Sequence, residues 1–359
     1  MPHSRTRNNM TSSPKLRIAV AGAGMIGMAH IAVLARSPRC VLSAIVDPSP
    51  DAVAVAEQAG VPLFTSLADL LAQARPDGVL LATPNHLHVP QALECIAAGM
   101  PILLEKPIAT TLAEGLQLQK VVEDTQARVL IGHHRAHSPI MAKAKQVVDS
   151  GQLGRLVSVT GSAQFYKPDD YFANGPWRTQ AGGGPILINL IHEVHNLRML
   201  CGDISAVQAF ASNATRGFAV EDTVAINLRF ANGALGSFML SDTAASARSW
   251  EQTSQENKAY TTYTDEDCYH IAGTQGSLAV PTMRIKTYPR PEDRSWWKEF
   301  EVGTIGMVRD DPLKHQMNHF ADVIEGKAAP LVSACDGVQN LRVTEAIAEA
   351  ARTGLVVQV

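Results

Sequence analysis

Short runs of consecutive apolar residues alternate with amphipathic stretches along the first third of the chain. A short run that is apolar throughout is typical of a strand covered on both faces, and the intervening stretches have helical spacing. Strands are predicted at residues 16–21, 41–46, 79–82, 102–104 and 129–131, and helices at about 25–37, 51–58, 89–98 and 112–124. Strands that alternate with helices predict a parallel sheet with helices on both faces, as in a doubly wound α/β domain.

The pattern changes after about residue 134, where longer strands with alternating polarity follow one another without intervening helices. These strands are predicted at 156–165, 206–212, 223–230, 234–240, 269–271, 277–280 and 284–288, with helices at 139–149, 312–325 and 338–351. Direct connections between strands favour an antiparallel sheet, and alternation favours a sheet covered on one face. The second domain is therefore predicted to be α+β, with an open-faced, mainly antiparallel sheet.

This pattern divides the chain into a flexible tail at 1–14, an α/β domain at 15–134 and an α+β domain at 135–359. Two long polar or glycine-rich loops are predicted at 166–184 and 241–267. Loops of this length in compact domains are often functional.

Charge and composition then exclude several classes of protein. The 31 basic residues are balanced by 34 acidic ones, and neither sign forms a run, which argues against a nucleic-acid or membrane-surface partner. No uncharged apolar stretch reaches the length of a membrane span. The five cysteines are scattered without a C-x-x-C pair, so we expect no disulfide framework and a reducing, cytoplasmic location.

A G-x-G-x-x-G motif directly follows the first predicted strand and opens the first helix. Gly22 permits the tight turn, Gly24 lets a pyrophosphate approach the backbone, and Gly27 allows the helix to pack closely on the strand. Met25 and Ile26 begin the helix, whose free N–H groups favour an anion. This arrangement predicts a dinucleotide site.

The end of the second predicted strand indicates which dinucleotide. Asp47 stands 20 residues after Gly27, where a carboxylate accepts hydrogen bonds from the adenosine ribose hydroxyls. The same carboxylate repels a 2′-phosphate, so NAD is expected. NADP stays open as an alternative, because the Ser49 hydroxyl is placed to help hold a phosphate.

Further motifs follow strand ends or open helices. In chain order they are His30, the sequence TPNHLH at 83–88, the sequence EKP at 105–107, and three glycines at 182–184 before a helix that carries His192. Together with the glycine motif, in this order and over residues 16–357, they resemble the Gfo/Idh/MocA oxidoreductase family.

The resemblance implies a Rossmann domain followed by an open-faced sheet domain, with hydride transfer between a nicotinamide and a sugar, cyclic polyol or related alcohol. Lys106 matches the lysine that faces substrate and nicotinamide in that family. A lysine beside a positively charged nicotinamide loses its proton readily, which suits a proton carrier. The implied cofactor contacts are Gly22, Gly24, Met25, Ile26, Gly27, Asp47, Thr83, Pro84, Asn85, His88, Glu105 and Lys106.

The helix after the three glycines carries the second predicted catalytic residue, His192, which matches the family's histidine. Many members have an aspartate one turn earlier, where this chain has Ile188, so a carboxylate–histidine relay through that position is absent. On a regular helix, Ile188, His192 and His195 form one stripe beside an apolar face that includes Leu187. No metal is expected, because zinc needs three or four convergent ligands and His192 and His195 lack the i, i+4 spacing of zinc proteases.

A small-molecule substrate is expected in the cleft between the domains. The segment after the last parallel strand and the long 166–184 loop border this cleft, and aromatic and arginine side chains suit a polyhydroxylated or carboxylated ligand. The candidate substrate contacts are His133, Arg135, Tyr166, Trp177, Arg178, Asn189, His192 and His195.

Two other functions stay open at this point. One is the reduction of an imine or the oxidation of a dihydrodiol, and the other is a non-catalytic, cofactor-binding regulator on the same fold. We also expect a homodimer or homotetramer packed through the open sheet face. The rows predicted to form that contact are Val159, Gly161, Ala163 and Phe165 with Val224, Ile226, Leu228 and Phe230.

Overall fold

The computed structural model describes residues 14–359, so the predicted tail at 1–14 lies outside the described residues apart from Pro14. The strands are β1 Leu16–Ala21, β2 Cys40–Val46, β3 Leu63–Phe64, β4 Gly78–Leu81, β5 Ile102–Glu105, β6 Val129–Gly132, β7 Leu156–Gln164, β8 Ile204–Ser212, β9 Thr223–Phe230, β10 Leu235–Ser241, β11 Tyr269–Gly273, β12 Gly276–Val280, β13 Arg284–Thr287, β14 Glu301–Thr304 and β15 Val357–Gln358. The helices are α1 Met25–Arg36, α2 Asp51–Ala59, α3 Leu67–Gln73, α4 His88–Ala97, α5 Leu112–Thr125, α6 Pro139–Asp149, α7 Asp169–Ala173, α8 Ile191–Cys201, α9 Trp250–Ser254, α10 Pro312–Ile324 and α11 Ala334–Thr353.

The first sheet has six parallel strands in the order β3-β2-β1-β4-β5-β6. Every residue of β4, β5 and β6 is buried, which is why these strands read as uninterrupted apolar runs. The strand order reverses between β1 and β4, and ligands bind at such a reversal, outside the carboxyl ends of the strands. The predicted Rossmann-type domain is confirmed.

The second sheet has nine strands in the order β14-β13-β12-β11-β7-β10-β9-β8-β15. Every neighbouring pair is antiparallel except β7 and β10, which run parallel. Helices α6, α8 and α11 lie against this sheet. The predicted mainly antiparallel second domain is confirmed, with one parallel pair added.

The open face of this sheet differs from the predicted one. Val159, Val224 and Ile226 are buried in the core between the sheet and its helices, as are most of the other residues predicted to form the subunit contact. Because side chains alternate across a strand, the other face carries the exposed apolar residues Phe210, Leu235 and Met239. The predicted contact rows are therefore wrong, since the period-2 pattern identifies an apolar face without saying whether helices or solvent lie over it.

Helix α11 contributes to both hydrophobic cores. Val338 and Leu341 pack in the core of the parallel sheet, whereas Val343 and Ile347 pack in the core of the second sheet. The helix begins four residues earlier than predicted, because Ser333 forms a capping box with the third residue of the helix. One helix thereby fixes the position of the two sheets relative to each other.

Several short elements escaped the sequence analysis. Strand β3 and helix α3 lie between the second and third predicted strands, and α7 and α9 lie within the predicted loops. A two-residue strand and five-residue helices are too short to show a hydrophobic period. The sequence did contain one signal for helix α3, because serine is a typical N-cap residue. Ser66 stands at the start of this helix, and its hydroxyl accepts a hydrogen bond from the Asp69 amide.

No helix in the part of the chain that the structure describes combines the length and apolar character needed to cross a membrane. All five cysteines are free thiols, and only Cys335 is exposed.

The close approach of α1 to β1 yields a stability prediction. A Cβ atom on Gly27 would lie 1.9 Å from the carbonyl oxygen of Gly22. We expect Gly27→Ala to lower the free energy of unfolding by about 1–3 kcal/mol, the usual cost of forcing atoms into a packed site. Gly24→Ala is the control, because its Cβ would meet no atom within 4 Å and should cost clearly less. Denaturant unfolding without added dinucleotide measures both, and equal losses would contradict this account.

Candidate active site

The glycine turn after β1 leaves an open cradle at a helix N-terminus. Gly22 has a φ of +92°, and a Cβ there would lie 2.4 Å from the carbonyl oxygen of Ala82. Gly24 is the N-cap of α1 and provides no side-chain hydrogen bond, so the first N–H groups of the helix keep their donors for a ligand. Met25 in the first turn is 83% exposed. A pyrophosphate fits this cradle, because the space that a Gly24 side chain would fill is open.

Asp47 lies beside this turn, at the end of β2. Its Oδ2 accepts a hydrogen bond of 2.8 Å from the Ala23 amide, and its Oδ1 accepts one of 2.8 Å from the Ser49 amide. Each carboxylate oxygen keeps a further lone pair. The residues of this region therefore fit a dinucleotide whose ribose hydroxyls reach Asp47.

The imidazole ring of His88 connects the loop after β4 to the loop after β5. His88 is buried, and its Nδ1 and Nε2 lie 2.7 Å from the Pro107 carbonyl oxygen and 2.9 Å from that of Thr83. Burial lowers the pKa of His88, so the neutral ring donates to one of the two carbonyls at a time. Pro84 and Asn85 are exposed on the same loop. His88 thus stabilises the predicted cofactor loop from its buried side. Pro84 and Asn85 are the residues of that loop that face outward.

Glu105 points away from the cleft, into the protein. Its Oε1 accepts a hydrogen bond of 2.8 Å from His30 Nε2, and both side chains are buried. Burial alone would raise the pKa of Glu105, but the hydrogen bond and charge of His30 outweigh it, so the pKa falls below the usual range. The contact with His30 fixes Glu105 at the end of β5, directly before Lys106. His30 therefore stabilises the strand end that carries Lys106, a role that the sequence left open.

Lys106 follows β5 and precedes a cis peptide bond to Pro107. None of the residues 14–359 provides a hydrogen bond or an ion pair to its ammonium group. Burial lowers the pKa of Lys106, and the positive charge of Arg135 lowers it further against the opposing carboxylates of Glu105 and Glu251. A lysine in this state changes its protonation readily.

Four histidines from the two domains meet next to Lys106. The pairing of Glu105 with Gly132 sets Lys106 beside the segment that begins at His133. The ring centroids lie 4.7 Å apart for His133 and His195, 5.1 Å for His134 and His192, and 6.1 Å for His133 and His192. The structure thus brings together the predicted residues Lys106, His133, His192 and His195, and adds His134.

His133, His192 and His195 are buried and His134 is half-buried, and desolvation is the largest cause of the lowered pKa of each ring. The pKa falls to about 4 for His134 and His195 and well below the usual range for His133 and His192. The rings are therefore neutral near pH 7. A neutral imidazole offers one N–H donor and one acceptor to a ligand in the cleft.

The segment before His192 is not the regular helix that the sequence analysis assumed. Residues Ile186–Leu190 form a π-helical turn, and α8 begins at Ile191. Leu187, which was predicted on the buried face, is 40% exposed because the wider turn changes the phase of the side chains. The Oδ1 atom of Asn189 instead accepts a hydrogen bond of 2.7 Å from Lys167 Nζ. The regular helix on which the stripe through Ile188 was predicted therefore begins only at Ile191.

Arg135 is held between two carboxylates beneath the cleft. Its guanidinium is buried, donates to Glu193 Oε1 at 2.5 Å and pairs with Glu251 through its other end. Tyr269 donates its hydroxyl to the second oxygen of Glu193. With both ends occupied, Arg135 supports the cleft wall, and Glu251, whose side chain is 28% exposed, is the outward member of the group.

Sequence reasoning missed two charged residues of this region. Glu251 lies on the short helix α9, which Ser249 caps within a predicted loop. Lys167 is buried with its ammonium 3.4 Å from the Asp242 carboxylate and 4.8 Å from the centroid of the Tyr171 ring. The Ser249-x-x-Gln252 capping pattern was the available signal for α9, whereas nothing local marks Lys167 as buried.

The long loop after β7 places its three predicted contacts differently. Tyr166 and Trp177 are exposed at the rim. Arg178 packs its guanidinium 3.9 Å from the centroid of the Tyr171 ring and donates to the Tyr171 carbonyl. Arg178 therefore shapes the loop, while Tyr166 and Trp177 are available to a ligand.

Comparison with known proteins agrees with this geometry. Residues 16–133 match an oxidoreductase family with an NAD-binding Rossmann fold, and residues 141–279 match the GFO/IDH/MocA C-terminal domain. The chain is 28% identical to 1,5-anhydro-D-fructose reductase of Ensifer adhaerens over 306 residues, which cover 81% of this chain and 82% of that one. It is 24% identical to scyllo-inositol 2-dehydrogenase (NAD(+)) of Bacillus subtilis (strain 168), with 96% of each chain covered. The crystal structure of the WlbA dehydrogenase from Bordetella pertussis with NADH and UDP-GlcNAcA superposes with a TM-score of 0.76 at 26% identity, covering 96% of this chain and 99% of that one.

Proposed function

The chain belongs to the Gfo/Idh/MocA family of NAD-binding oxidoreductases, and from this premise we propose that it oxidises a secondary alcohol on a sugar, cyclic polyol or related small hydroxylated ring. The observation that carries the proposal is the placement of Lys106, a half-buried lysine whose ammonium has no partner among residues 14–359, next to His192 of the second domain. Relatives named as sugar and inositol dehydrogenases support the substrate class.

The cofactor is held by the residues described above. The glycine turn and the N-terminus of α1 take the pyrophosphate, Asp47 takes the adenosine ribose, and the loops at 83–88 and 105–107 face the nicotinamide half. Bound NAD supplies the acceptor for the hydride that leaves the alcohol carbon. We assign Tyr166, Trp177 and Glu251 to the rim that contacts the rest of the substrate ring.

The protein's own part in the reaction is the handling of one proton. When the alcohol loses its hydride it must also lose the hydroxyl proton, and the lowered pKa of Lys106 makes its Nζ the acceptor. His192 orients the hydroxyl from the other side and passes the proton toward water. A regulator that only binds the cofactor needs no lysine whose pKa is lowered and whose ammonium has no partner among residues 14–359, whereas a proton carrier does.

We further propose a homodimer or homotetramer that buries the open face of the second sheet. Phe210, Leu235 and Met239 lie together there and are exposed in the single chain. A cytoplasmic location is consistent with the free thiols, four of which are buried.

The proton carrier is tested by Lys106→Met in single-turnover hydride transfer. The substrate is the member of a panel of sugars, inositols and dihydrodiols that gives the fastest NADH formation with the unaltered protein. We expect the rate to fall by about 10²–10⁴, the usual contribution of a positioned acid–base group, with NAD affinity within a few-fold. Lys120→Met, on an exposed lysine of α5, is the control. An unchanged rate in Lys106→Met would remove that residue from the mechanism, and the absence of any oxidised substrate in the panel would favour the regulator.

Cofactor choice is tested by Asp47→Ala. The change removes an acceptor for the ribose hydroxyls and the repulsion of a 2′-phosphate, so NAD binding should weaken while the ratio of NADP to NAD affinity rises. Titration of both dinucleotides against the purified protein measures the ratio. Ser49→Ala is the matched comparison, since it leaves the carboxylate in place. Tighter binding of NADP than of NAD by the unaltered protein would overturn the assignment of Asp47.

The assembly is tested by sedimentation at micromolar concentration. We expect a dimer or tetramer, and we expect Leu235→Glu to shift the protein toward the monomer because it places a charge in the buried interface. Val53→Glu, on an exposed position of α2, adds the same charge elsewhere and should leave the assembly intact. A monomeric unaltered protein would contradict the proposal.

A further inference from the structure

One buried amide contacts two of the four cleft histidines. Asn340 lies on α11, is fully buried, and stands between His133 at the end of β6 and His195 on α8. We propose that Asn340 is a positioning residue that fixes opposite proton positions on His133 and His195 and keeps both rings uncharged. Proton exchange in the cleft is thereby left to Lys106 and His192. The expected effect on the pH dependence of kcat rests on the proposed dehydrogenase function. The expected proton positions on His133 and His195 do not.

The orientation of the amide is set by Arg198. The Nη1 atom of Arg198 donates to Asn340 Oδ1 at 2.6 Å. The same Nη1 also donates to the Asp336 carbonyl oxygen at 3.2 Å, while Nε and Nη2 donate to Asp203 Oδ1 at 3.0 and 2.7 Å. Because arginine can only donate, the atom of Asn340 that faces it must be the oxygen. The NH₂ group of Asn340 therefore faces the histidines.

That NH₂ group has two hydrogens, and each has one acceptor. Asn340 Nδ2 lies 3.1 Å from His133 Nε2 and 3.0 Å from His195 Nδ1. A ring nitrogen accepts a hydrogen bond only through its lone pair, so neither of these nitrogens carries a proton. The neutral His133 is then protonated on Nδ1, and the neutral His195 is protonated on Nε2.

Protonation of either ring would set one donor against another. An imidazolium carries a proton on both nitrogens, so it would point an N–H at the amide NH₂. The two rings are also stacked, with centroids 4.7 Å apart and an interplanar angle of 22°, so a charge on both is disfavoured further. The charged and titratable groups that face the pair are Lys106, His134, His137, His192, Arg198 and Asp336.

The neighbouring ring, His192, has no such constraint. Its Nδ1 is buried without a hydrogen-bond partner among residues 14–359, and its ring contacts His133 edge-on. With His133 and His195 held neutral, these two rings add no positive charge to that of His192 when it takes up a proton beside Lys106. Asn340 acts on the reaction through these rings and without touching the substrate.

The test is Asn340→Asp, examined by ¹⁵N NMR of labelled histidines and by the pH dependence of kcat. In the unaltered protein we expect an Nδ1–H signal for His133 and an Nε2–H signal for His195. Neither should titrate between about pH 6 and about pH 8, the range of an ordinary histidine. A carboxylate can only accept, so Asn340→Asp should move the protons to the nitrogens that face it and bring at least one ring into its charged form at neutral pH. The pH profile of kcat should shift by about one unit or more.

Two companion variants make the result decisive. Arg198→Met removes the group that orients the Asn340 amide and should give mixed tautomers of His133 and His195 without adding a charge. It tests the proposal if Asn340→Asp does not fold. Asn232→Asp makes the same chemical change in the exposed turn after β9 and should leave the histidine signals and the pH profile unchanged. A His195 protonated on Nδ1 in the unaltered protein would overturn the proposal, as would unchanged signals in both Asn340→Asp and Arg198→Met. Failure of the dehydrogenase function would show instead as the absence of any oxidised substrate in the panel, with the tautomers of His133 and His195 still fixed.

Discussion

The packing of α11 into both hydrophobic cores is the constraint on which the rest of the structure depends. The side chains at 338 and 341 belong to the core of the parallel sheet, and those at 343 and 347 to the core of the second sheet. Interiors packed to crystal-like density do not slide, so a helix shared by two cores sets the distance between them. The carboxyl end of β6, the start of α8 and the middle of α11 consequently meet at one place, where Asn340 links His133 to His195.

The charges buried at this meeting point are arranged by one principle. Carboxylates that support the structure are paired, as Glu105 is with His30 and as Glu193 and Glu251 are with Arg135. Pairing offsets the cost of taking such groups out of water. Within residues 14–359, Lys106 has no hydrogen-bond or ion-pair partner, and His133 and His192 beside it are neutral. The amine is thereby left free to change its protonation state, as the proton carrier proposed above must.

The region before His192 is shaped by a π-helical turn. Within this turn the Asn189 side chain accepts a hydrogen bond from the Lys167 ammonium. Two carboxylates near the cleft are Glu193, on the same helix as His192, and Glu251 on α9. Both pair with Arg135 from the segment after β6, so the electrostatics of the site depend on tertiary contacts.

The resemblance to the family singled out Lys106 and His192, whereas the sequence by itself determined the two-domain plan and the dinucleotide motif. These features are local, since a glycine turn, a strand end or a helical period is written in neighbouring residues. Only the tertiary structure decided what covers each face of the second sheet, because an apolar row such as the one that contains Val159 does not show whether helices or another subunit pack over it. It also decided that Arg135 supports the cleft wall, that Glu251 reaches the cleft, and that Asn340 contacts two histidines 207 and 145 residues away along the chain. Hydrogen bonds and ion pairs between such distant residues form only after the cores have packed, and no local pattern in the sequence encodes their partners.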